Sequence, residues 1–137
     1  AAAHLSKGGI PELLGRPAAI AEPKSILHPV FENRVLTGHV IHIDGFGNCI
    51  TDITKRRFKD VGTDRGFVIV MRSSRSDIRK ICENYSDVPV GESVAVFNHL
   101  GFLEIAIYKG APGSANGGAS SMLGIKLDDV IRIEFSE

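Results

Sequence analysis

The fold of this chain is decided by the stretch VIHIDGFGNCITDI at residues 40–53. Both ends of the stretch are rich in β-branched residues, which favour strands. Gly45 and Gly47 lie between the two ends, and glycine tolerates the positive φ angles that a tight turn requires. The stretch therefore predicts two strands joined by a short turn.

Five further apolar runs, separated by turn residues, predict more strands. The runs are Phe67–Met71, Ile78–Cys82, Ser93–Phe97, Phe102–Tyr108 and Val130–Phe135. The first is continuous, which is typical of a strand that is buried on both faces. Thr54 predicts the N-cap of one helical turn at residues 55–59. About seven short strands with glycine-rich turns and almost no helix predict an all-β fold, either a β-barrel or a β-sandwich.

The first 34 residues have a different character. An Ala-rich opening at residues 1–7 predicts a short helix that ends at Gly8 and Gly9. Four prolines lie between Ile10 and Phe31, and this composition predicts a connector. The chain also begins without Met. We therefore expect residues 1–34 to be the end of a missing N-terminal domain plus a connector, and residues 35–137 to be a C-terminal β-domain.

The composition excludes several classes of function. The sequence has 137 residues, with 16 Lys plus Arg and 16 Asp plus Glu, so its formal net charge is zero. A non-specific nucleic-acid binder normally carries a basic excess, which this chain lacks. No stretch approaches the roughly 18 apolar residues of a membrane span. We therefore expect neither nucleic acid nor a membrane as a partner.

The two cysteines and the chain opening predict a compartment. Cys49 and Cys82 lack CxxC spacing, which favours reduced thiols in the core of a protein in a reducing environment. The opening lacks the basic and apolar regions of a signal peptide. Together these features predict a cytoplasmic protein.

Two polar patterns suggest chemistry but favour ordinary structural roles. His39 and His42 lie three apart on a predicted strand, so their side chains point to opposite faces and we expect no metal site. The basic run Lys55-Arg56-Arg57 next to Phe58 suggests a phosphate contact on an oligonucleotide-binding barrel. A solvated helical turn explains the same run, and the absence of Trp argues against stacking platforms.

The predicted turn at residues 43–48 carries the sharpest functional pattern. It places a carboxylate, an aromatic ring and a carboxamide close together at Asp44, Phe46 and Asn48. An Asn side chain pairs a donor with an acceptor and so can read an adenine edge, while an Asp can hold an ammonium group. The spacing alone favours an ordinary glycine hairpin over a ligand-binding turn.

Three motifs occur in order along the chain, namely DGFGN at residues 44–48, YSDV at residues 85–88 and NHLGFLEIA at residues 98–106. They resemble the C-terminal domain of the S-adenosylmethionine hydroxide adenosyltransferases, which are S-adenosylmethionine hydrolases related to fluorinase and chlorinase. The Ala-rich opening is similar to the last helix of that family's N-terminal domain, so the resemblance covers nearly the whole chain. It implies a small C-terminal β-barrel of about seven strands, preceded by the end of a helix and a proline-rich connector.

The resemblance implies an adenine pocket. Phe46 would line this pocket, Asn48 would hydrogen-bond the adenine edge, and Tyr85 would stack on the base. The backbone of Gly118 and Ala119 would meet the adenine, although the loop at residues 110–117 is longer than the compact family version.

The resemblance also implies contacts to the methionine part of the substrate. Asp44 would bind the amino group, and the segment Asn98-His99-Leu100 would approach the carboxylate. His99 stands where the family usually has Ser, and its larger imidazole would have to make that contact. Asp52 replaces a usual Asn, for which we expect no consequence in the pocket.

The reaction that the resemblance implies is direct displacement at the ribose C5′ carbon. Water or hydroxide attacks, methionine leaves as a neutral thioether, and adenosine forms. The main tasks of the protein are then orientation and desolvation of the nucleophile. We assign no catalytic residue, no metal and no cofactor to this chain, with S-adenosylmethionine as the substrate.

Family members are trimers whose pocket forms between the N-terminal domain of one subunit and the C-terminal barrel of its neighbour. The resemblance therefore predicts a homotrimer that is active as the full-length protein, whereas this chain alone would be inactive. The alternative is a β-barrel without catalysis. Such a barrel would be either a nucleotide- or oligonucleotide-binding module that uses Tyr85, Phe46 and Lys55–Arg57, or a trimerisation domain.

Overall fold

The structure is a computed structural model that describes residues 1–19, 28–71 and 77–137. The strands are β1 (Val30–Glu32), β2 (Val35–Ile43), β3 (Cys49–Thr54), β4 (Phe67–Met71), β5 (Ile81–Cys82), β6 (Ser93–Phe97), β7 (Phe102–Ile107) and β8 (Val130–Phe135). The helices are α1 (Ala2–Ser6), α2 (Lys55–Gly62) and α3 (Ala119–Met122), with 3-10 turns at Pro11–Leu13 and Tyr85–Asp87.

The strands form one curled sheet, which confirms the predicted all-β fold. Its order is β4-β8-β2-β3-β7-β6-β5, and β1 pairs separately with β2. β5 runs parallel to β6, while every other described strand pair is antiparallel. Among the described residues, one bridge links the two ends of this half-barrel, because the Ile69 N–H in β4 donates to the Ile78 carbonyl, 2.8 Å away, shortly before β5.

The main core lies inside the curl of the sheet. Its fully buried large side chains come from almost every strand and include Leu36, Val40, Ile53, Ile69, Leu103, Ile105, Ile131 and Ile133. A smaller cluster consists of Cys82, Val94, Val96 and Ala106, with Val88 packed against it. Both cysteines are free and buried, as predicted. Burial of this apolar surface is the dominant stabilising contribution to the fold.

The basic run lies on α2, as the predicted N-cap requires. The Thr54 side chain accepts a hydrogen bond from the Arg57 N–H at 3.1 Å, which satisfies one of the free donors at the start of the helix. The helix extends to Gly62, beyond the single turn predicted. Phe58 on this helix packs against Phe67, Phe97 and Phe135. Phe58, which follows the basic run, therefore packs the helix against the sheet.

Several strand predictions need correction. The stretch predicted to be a connector ends in β1, because Val30, Phe31 and Glu32 pair with the first part of β2. β4 is not buried on both faces, since Ile69 and Met71 are buried while Val68 and Val70 are only half-buried. The predicted strand at residues 78–82 is reduced to the Ile78 bridge and the two residues of β5. Residues 20–27 of the predicted connector lie outside the described residues.

None of the helices in the described ranges has the length and apolar character needed to cross a membrane.

Candidate ligand-binding site

The turn between β2 and β3 is organised by Asp44. Its Oδ1 accepts hydrogen bonds from the N–H groups of Phe46 (2.8 Å) and Asn48 (2.9 Å), and its Oδ2 accepts one from Asn48 Nδ2 (3.0 Å). Gly47 has a φ of +81°, the left-handed region that favours glycine. The aspartate therefore fixes the whole DGFGN motif in one conformation.

The glycine-rich loop packs directly on this turn. Ser120 N–H donates to the Gly47 carbonyl at 2.9 Å. A Cβ atom on Gly118 would lie 2.5 Å from the Phe46 carbonyl oxygen, so only glycine allows this approach. Gly118 and Ala119 are both buried. Three of the residues predicted at the adenine edge, Phe46, Gly118 and Ala119, therefore lie side by side.

A second group of polar side chains is centred on Glu104 in β7. This carboxylate is only 4% exposed. Its Oε1 accepts a hydrogen bond from the Tyr85 hydroxyl at 2.6 Å, and its Oε2 accepts one from Asn98 Nδ2 at 3.3 Å. Asn98 Oδ1 in turn accepts the N–H groups of Leu100 and Phe102, each at 3.1 Å. One buried carboxylate thus connects the 3-10 turn after β5 with the turn between β6 and β7.

A cavity of about 460 Å³ lies beside these two groups. Its lining consists of Asp44, Ile50, Tyr85, Val96, Phe97, Asn98, His99, Leu100 and Glu104. Two carboxylates therefore face the cavity, and its lining includes no Lys or Arg. Such a lining favours a ligand that carries positive charge and an apolar surface.

Burial and the nearby carboxylates raise the pKa values of two groups, Tyr85 in the lining of the cavity and Cys49 in β3. Burial, the hydrogen bond to Glu104 and the charges of Glu104 and Asp44 raise the pKa of the Tyr85 hydroxyl above its ordinary range. Burial and, to a smaller extent, the charges of Asp44, Asp129 and Glu104 raise the pKa of the Cys49 thiol to about 12. Both groups therefore remain protonated at neutral pH.

The structure brings half of the predicted substrate-binding residues to the cavity. Asp44, Tyr85, His99 and Leu100 line it, whereas Phe46, Asn48, Gly118 and Ala119 do not. Phe46 is 65% exposed on the outside of its turn. The side chain of Asn48 and the backbone of Gly118 instead support the turn that carries Asp44.

Sequence reasoning assigned no role to Glu104, although the residue lies within one of the three motifs. The available signal was a charged residue between Leu103 and Ile105 in a strand that reads as apolar. A carboxylate that is buried on such a strand needs hydrogen-bond partners, so its position itself indicates a polar site.

The histidine pair does not form a metal site within the described residues, where no cluster of three potential metal ligands occurs. His39 faces Asp52, with its Nδ1 3.6 Å from Asp52 Oδ2, and its N–H donates to Asp52 Oδ1 at 2.8 Å. His42 is exposed. Asp52 is absent from the lining of the cavity.

The basic run of α2 is separate from the cavity. None of the lining residues belongs to this helix. Arg56 is 92% exposed at its side chain and lies 3.9 Å from Asp60 one turn later, an ordinary surface ion pair.

The chain is similar to proteins of one family. Residues 38–132, well over half of the chain, match the family described as SAM hydroxide adenosyltransferase C-terminal domain, where SAM is S-adenosylmethionine. The chain is 36% identical over 117 residues to a curated relative from Thermus thermophilus described as (R)-S-adenosyl-L-methionine hydrolase. The match covers 85% of this chain but only 41% of that relative.

Two solved structures share the fold. A structure of an uncharacterized conserved protein from Thermotoga maritima has a TM-score of 0.68 and 30% identity, covering 97% of this chain and 48% of that one. A conserved hypothetical protein from Thermus thermophilus has a TM-score of 0.59 and 26% identity, covering 96% of this chain and 48% of that one. The chain therefore spans about half the length of these relatives.

Proposed function

The chain belongs to the SAM hydroxide adenosyltransferase C-terminal domain family, and from this premise we propose that it is the substrate-binding domain of an S-adenosylmethionine hydrolase. The observation that carries the proposal is the cavity, where Asp44, Tyr85, His99 and Leu100 meet with no Lys or Arg in the lining. S-adenosylmethionine combines a sulfonium, an ammonium group and a planar base. These features suit two carboxylates and an aromatic ring.

We assign the cationic end of the substrate to the side of the cavity that holds Asp44. Its Oδ1 already accepts two N–H groups, while its Oδ2 accepts only one donor, Asn48 Nδ2. A carboxylate oxygen has two acceptor sites, so Oδ2 retains one for a substrate ammonium group.

The substrate carboxylate is assigned to His99. The neighbouring donors already have partners in the protein. Leu100 N–H donates to Asn98 Oδ1 in the same turn, and Asn98 Nδ2 donates to Glu104 Oε2 in β7. His99 is exposed at the mouth of the cavity and carries an imidazole donor. It thus takes the place of the Ser that the family usually has.

The adenine is assigned to the side of Tyr85, where the ring is 41% exposed and presents a face for stacking. Phe46, Asn48 and the Gly118–Ala119 backbone lie at the turn that carries Asp44, outside the lining of the cavity. In this arrangement these three groups meet the base where the site is completed by another domain.

In the proposed reaction a water oxygen forms a bond to the ribose C5′ carbon, the C5′–S bond breaks, and sulfur takes the electron pair. Methionine leaves as a neutral thioether, adenosine forms, and the water loses one proton. The described residues bind and orient the substrate. Proton transfer is assigned to the N-terminal domain of a neighbouring subunit in a homotrimer, so this chain alone is inactive. The proposed reaction uses no cofactor.

The first test measures the native protein that contains this chain. Its intact mass, its oligomeric mass by light scattering and its turnover of S-adenosylmethionine are determined on one sample. A subunit mass well above 14.7 kDa, a trimer, and release of adenosine plus methionine support the proposal. A subunit of 14.7 kDa without turnover contradicts it.

Asn48→Ala is the sharpest single variant, with Asn116→Ala in the glycine-rich loop as its matched control. We expect Asn48→Ala to abolish binding of S-adenosylmethionine and Asn116→Ala to retain it. If binding survives in Asn48→Ala and is lost instead in the Lys55→Ala, Arg56→Ala double variant, the oligonucleotide-binding alternative replaces this proposal.

A further inference from the structure

We propose that Glu104 is a positioning residue, which holds the Tyr85 ring and the Asn98 turn in place on two sides of the cavity so that the base-stacking surface is fixed before the ligand arrives. This inference rests on the proposed function for the identity of the ligand, but its geometric part is independent of it.

Glu104 lies at the floor of the cavity. It is directly opposite Val96 in β6 and Ile50 in β3, and all three residues line the cavity. The floor is therefore a row of one carboxylate between two aliphatic side chains. Burying a carboxylate in such surroundings costs several kcal/mol unless it is hydrogen-bonded.

The Glu104 carboxylate holds two separate segments of the chain. Its two oxygens accept from Tyr85 in the 3-10 turn and from Asn98 in the β6–β7 turn. The Tyr85 turn is fixed on its own side by Asp87, whose Oδ2 accepts the N–H groups of Glu83 and Asn84, each at 3.1 Å. The Tyr85 side chain is therefore held at its backbone by the Asp87 turn and at its hydroxyl by Glu104.

We expect the fold not to depend on this carboxylate for its stability. Tyr85 is 41% exposed, so its hydroxyl has access to water if Glu104 is replaced. Replacing a buried charged network by apolar side chains of similar size is often neutral or stabilising. A buried carboxylate that stability does not require indicates a role in the ligand site.

The test uses Glu104→Met, which keeps the length of the side chain but removes both acceptors, and Tyr85→Phe, which keeps the ring. Tyr108→Phe is the matched control, since Tyr85 and Tyr108 are the two tyrosines of the sequence. We expect Glu104→Met to leave the melting temperature unchanged or raised. A purely structural role predicts a marked loss of melting temperature instead, and that result overturns the proposal.

The ligand-free readout is the tyrosinate absorbance of Tyr85, measured in a Tyr108→Phe background. We expect Glu104→Met to lower the pH at which Tyr85 ionises, because it removes a hydrogen bond to the hydroxyl and a nearby negative charge. An unchanged ionisation of Tyr85 overturns the proposal.

The ligand readout is the Kd for S-adenosylmethionine in the native protein that contains this chain. We expect Glu104→Met and Tyr85→Phe each to raise the Kd by about tenfold or more, and the double variant to lose no more than the worse single variant, because both remove the hydrogen bond between Tyr85 and Glu104. A Kd unchanged in Glu104→Met overturns the positioning role. A wild-type protein that does not bind S-adenosylmethionine overturns the proposed function instead, and the tyrosinate readout then decides the geometric part alone.

Discussion

At the scale of single residues, the Asp44 carboxylate both closes its own turn and faces the cavity. Three hydrogen bonds tie it to Phe46 and Asn48, which lie two and four residues later. Two of these bonds need an acceptor at Oδ1 and the third needs one at Oδ2, whereas recognition of a substrate cation needs the negative charge. The two roles are therefore separable by substitution.

We predict that Asp44→Ala lowers the free energy of unfolding by about 1–3 kcal/mol, since it leaves donors of the turn without partners. Asp44→Asn retains an acceptor at the Oδ1 position and is expected to lose less. Both variants should weaken binding of S-adenosylmethionine by about tenfold or more. Chemical denaturation and calorimetric titration check the two effects. Wild-type affinity in Asp44→Asn would mean that the charge does not recognise the substrate.

The Cys49 thiol makes stability depend on alkaline pH. Its pKa is raised in the folded protein from the ordinary 9.0 to about 12, so above pH 9 the unfolded chain releases a proton that the folded chain keeps. The contribution of this thiol to the free energy of unfolding is constant below this range and falls as the pH rises, by at most about 1.4 kcal/mol per pH unit.

We predict that Cys49→Ala flattens this fall between pH 9.0 and 10.0, the ordinary pKa values of cysteine and tyrosine. Urea denaturation at a series of pH values measures the slope. Cys82→Ala is the matched control, because it also removes a buried thiol but leaves the contribution of Cys49 in place. A slope that is equally steep in Cys49→Ala would show that another group causes the alkaline loss.

At the scale of elements, the contact between the DGFGN turn and α3 depends on the absence of a side chain at Gly118. We predict that Gly118→Ala destabilises the protein by about 1–3 kcal/mol, because the new methyl group collides with the Phe46 carbonyl and displaces one of the two segments. Gly45→Ala in the same turn meets nothing within 4 Å and is expected to stay within about 0.5 kcal/mol of wild type. Thermal unfolding compares the two. Equal melting temperatures would show that the turn and α3 do not need this close approach.

The elements could be predicted from the sequence where local pattern and burial agree. β8 alternates between buried and more exposed residues, so its bounds follow from periodicity, whereas five of the six residues of β7 are buried and both of its faces are covered. β1 could not be predicted, since its three residues become a strand only by pairing with β2. The bond between Glu104 and Tyr85 joins residues 19 positions apart and depends on the parallel pairing of β5 with β6, which no local pattern encodes.

At the scale of the whole molecule, the zero net charge favours binding of S-adenosylmethionine over binding of an oligonucleotide, because a non-specific nucleic-acid binder normally carries a basic excess. We predict that the affinity for S-adenosylmethionine changes less than about threefold between about 50 and 200 mM salt, because few counterions are released by a small ligand. An oligonucleotide binder of this size would lose about a thousandfold over the same range. Titrations at several salt concentrations measure the slope. A steep slope with a single-stranded oligonucleotide would favour the alternative.

The bridge between Ile69 and Ile78 has a mechanical consequence for the cavity. Within the described residues, β4 is joined to β8 by five residue pairs but to the segment that leads into β5 by one bridge. A curled sheet whose ends are joined by one hydrogen bond is expected to open at that bond first. The Ile69 amide should therefore exchange with deuterium sooner than the amides of the β4–β8 ladder. Tyr85 follows β5 by three residues. The bridge at which the half-barrel is expected to open first therefore lies seven residues before Tyr85 along the chain, and a ligand stacked on Tyr85 is expected to slow exchange at Ile69.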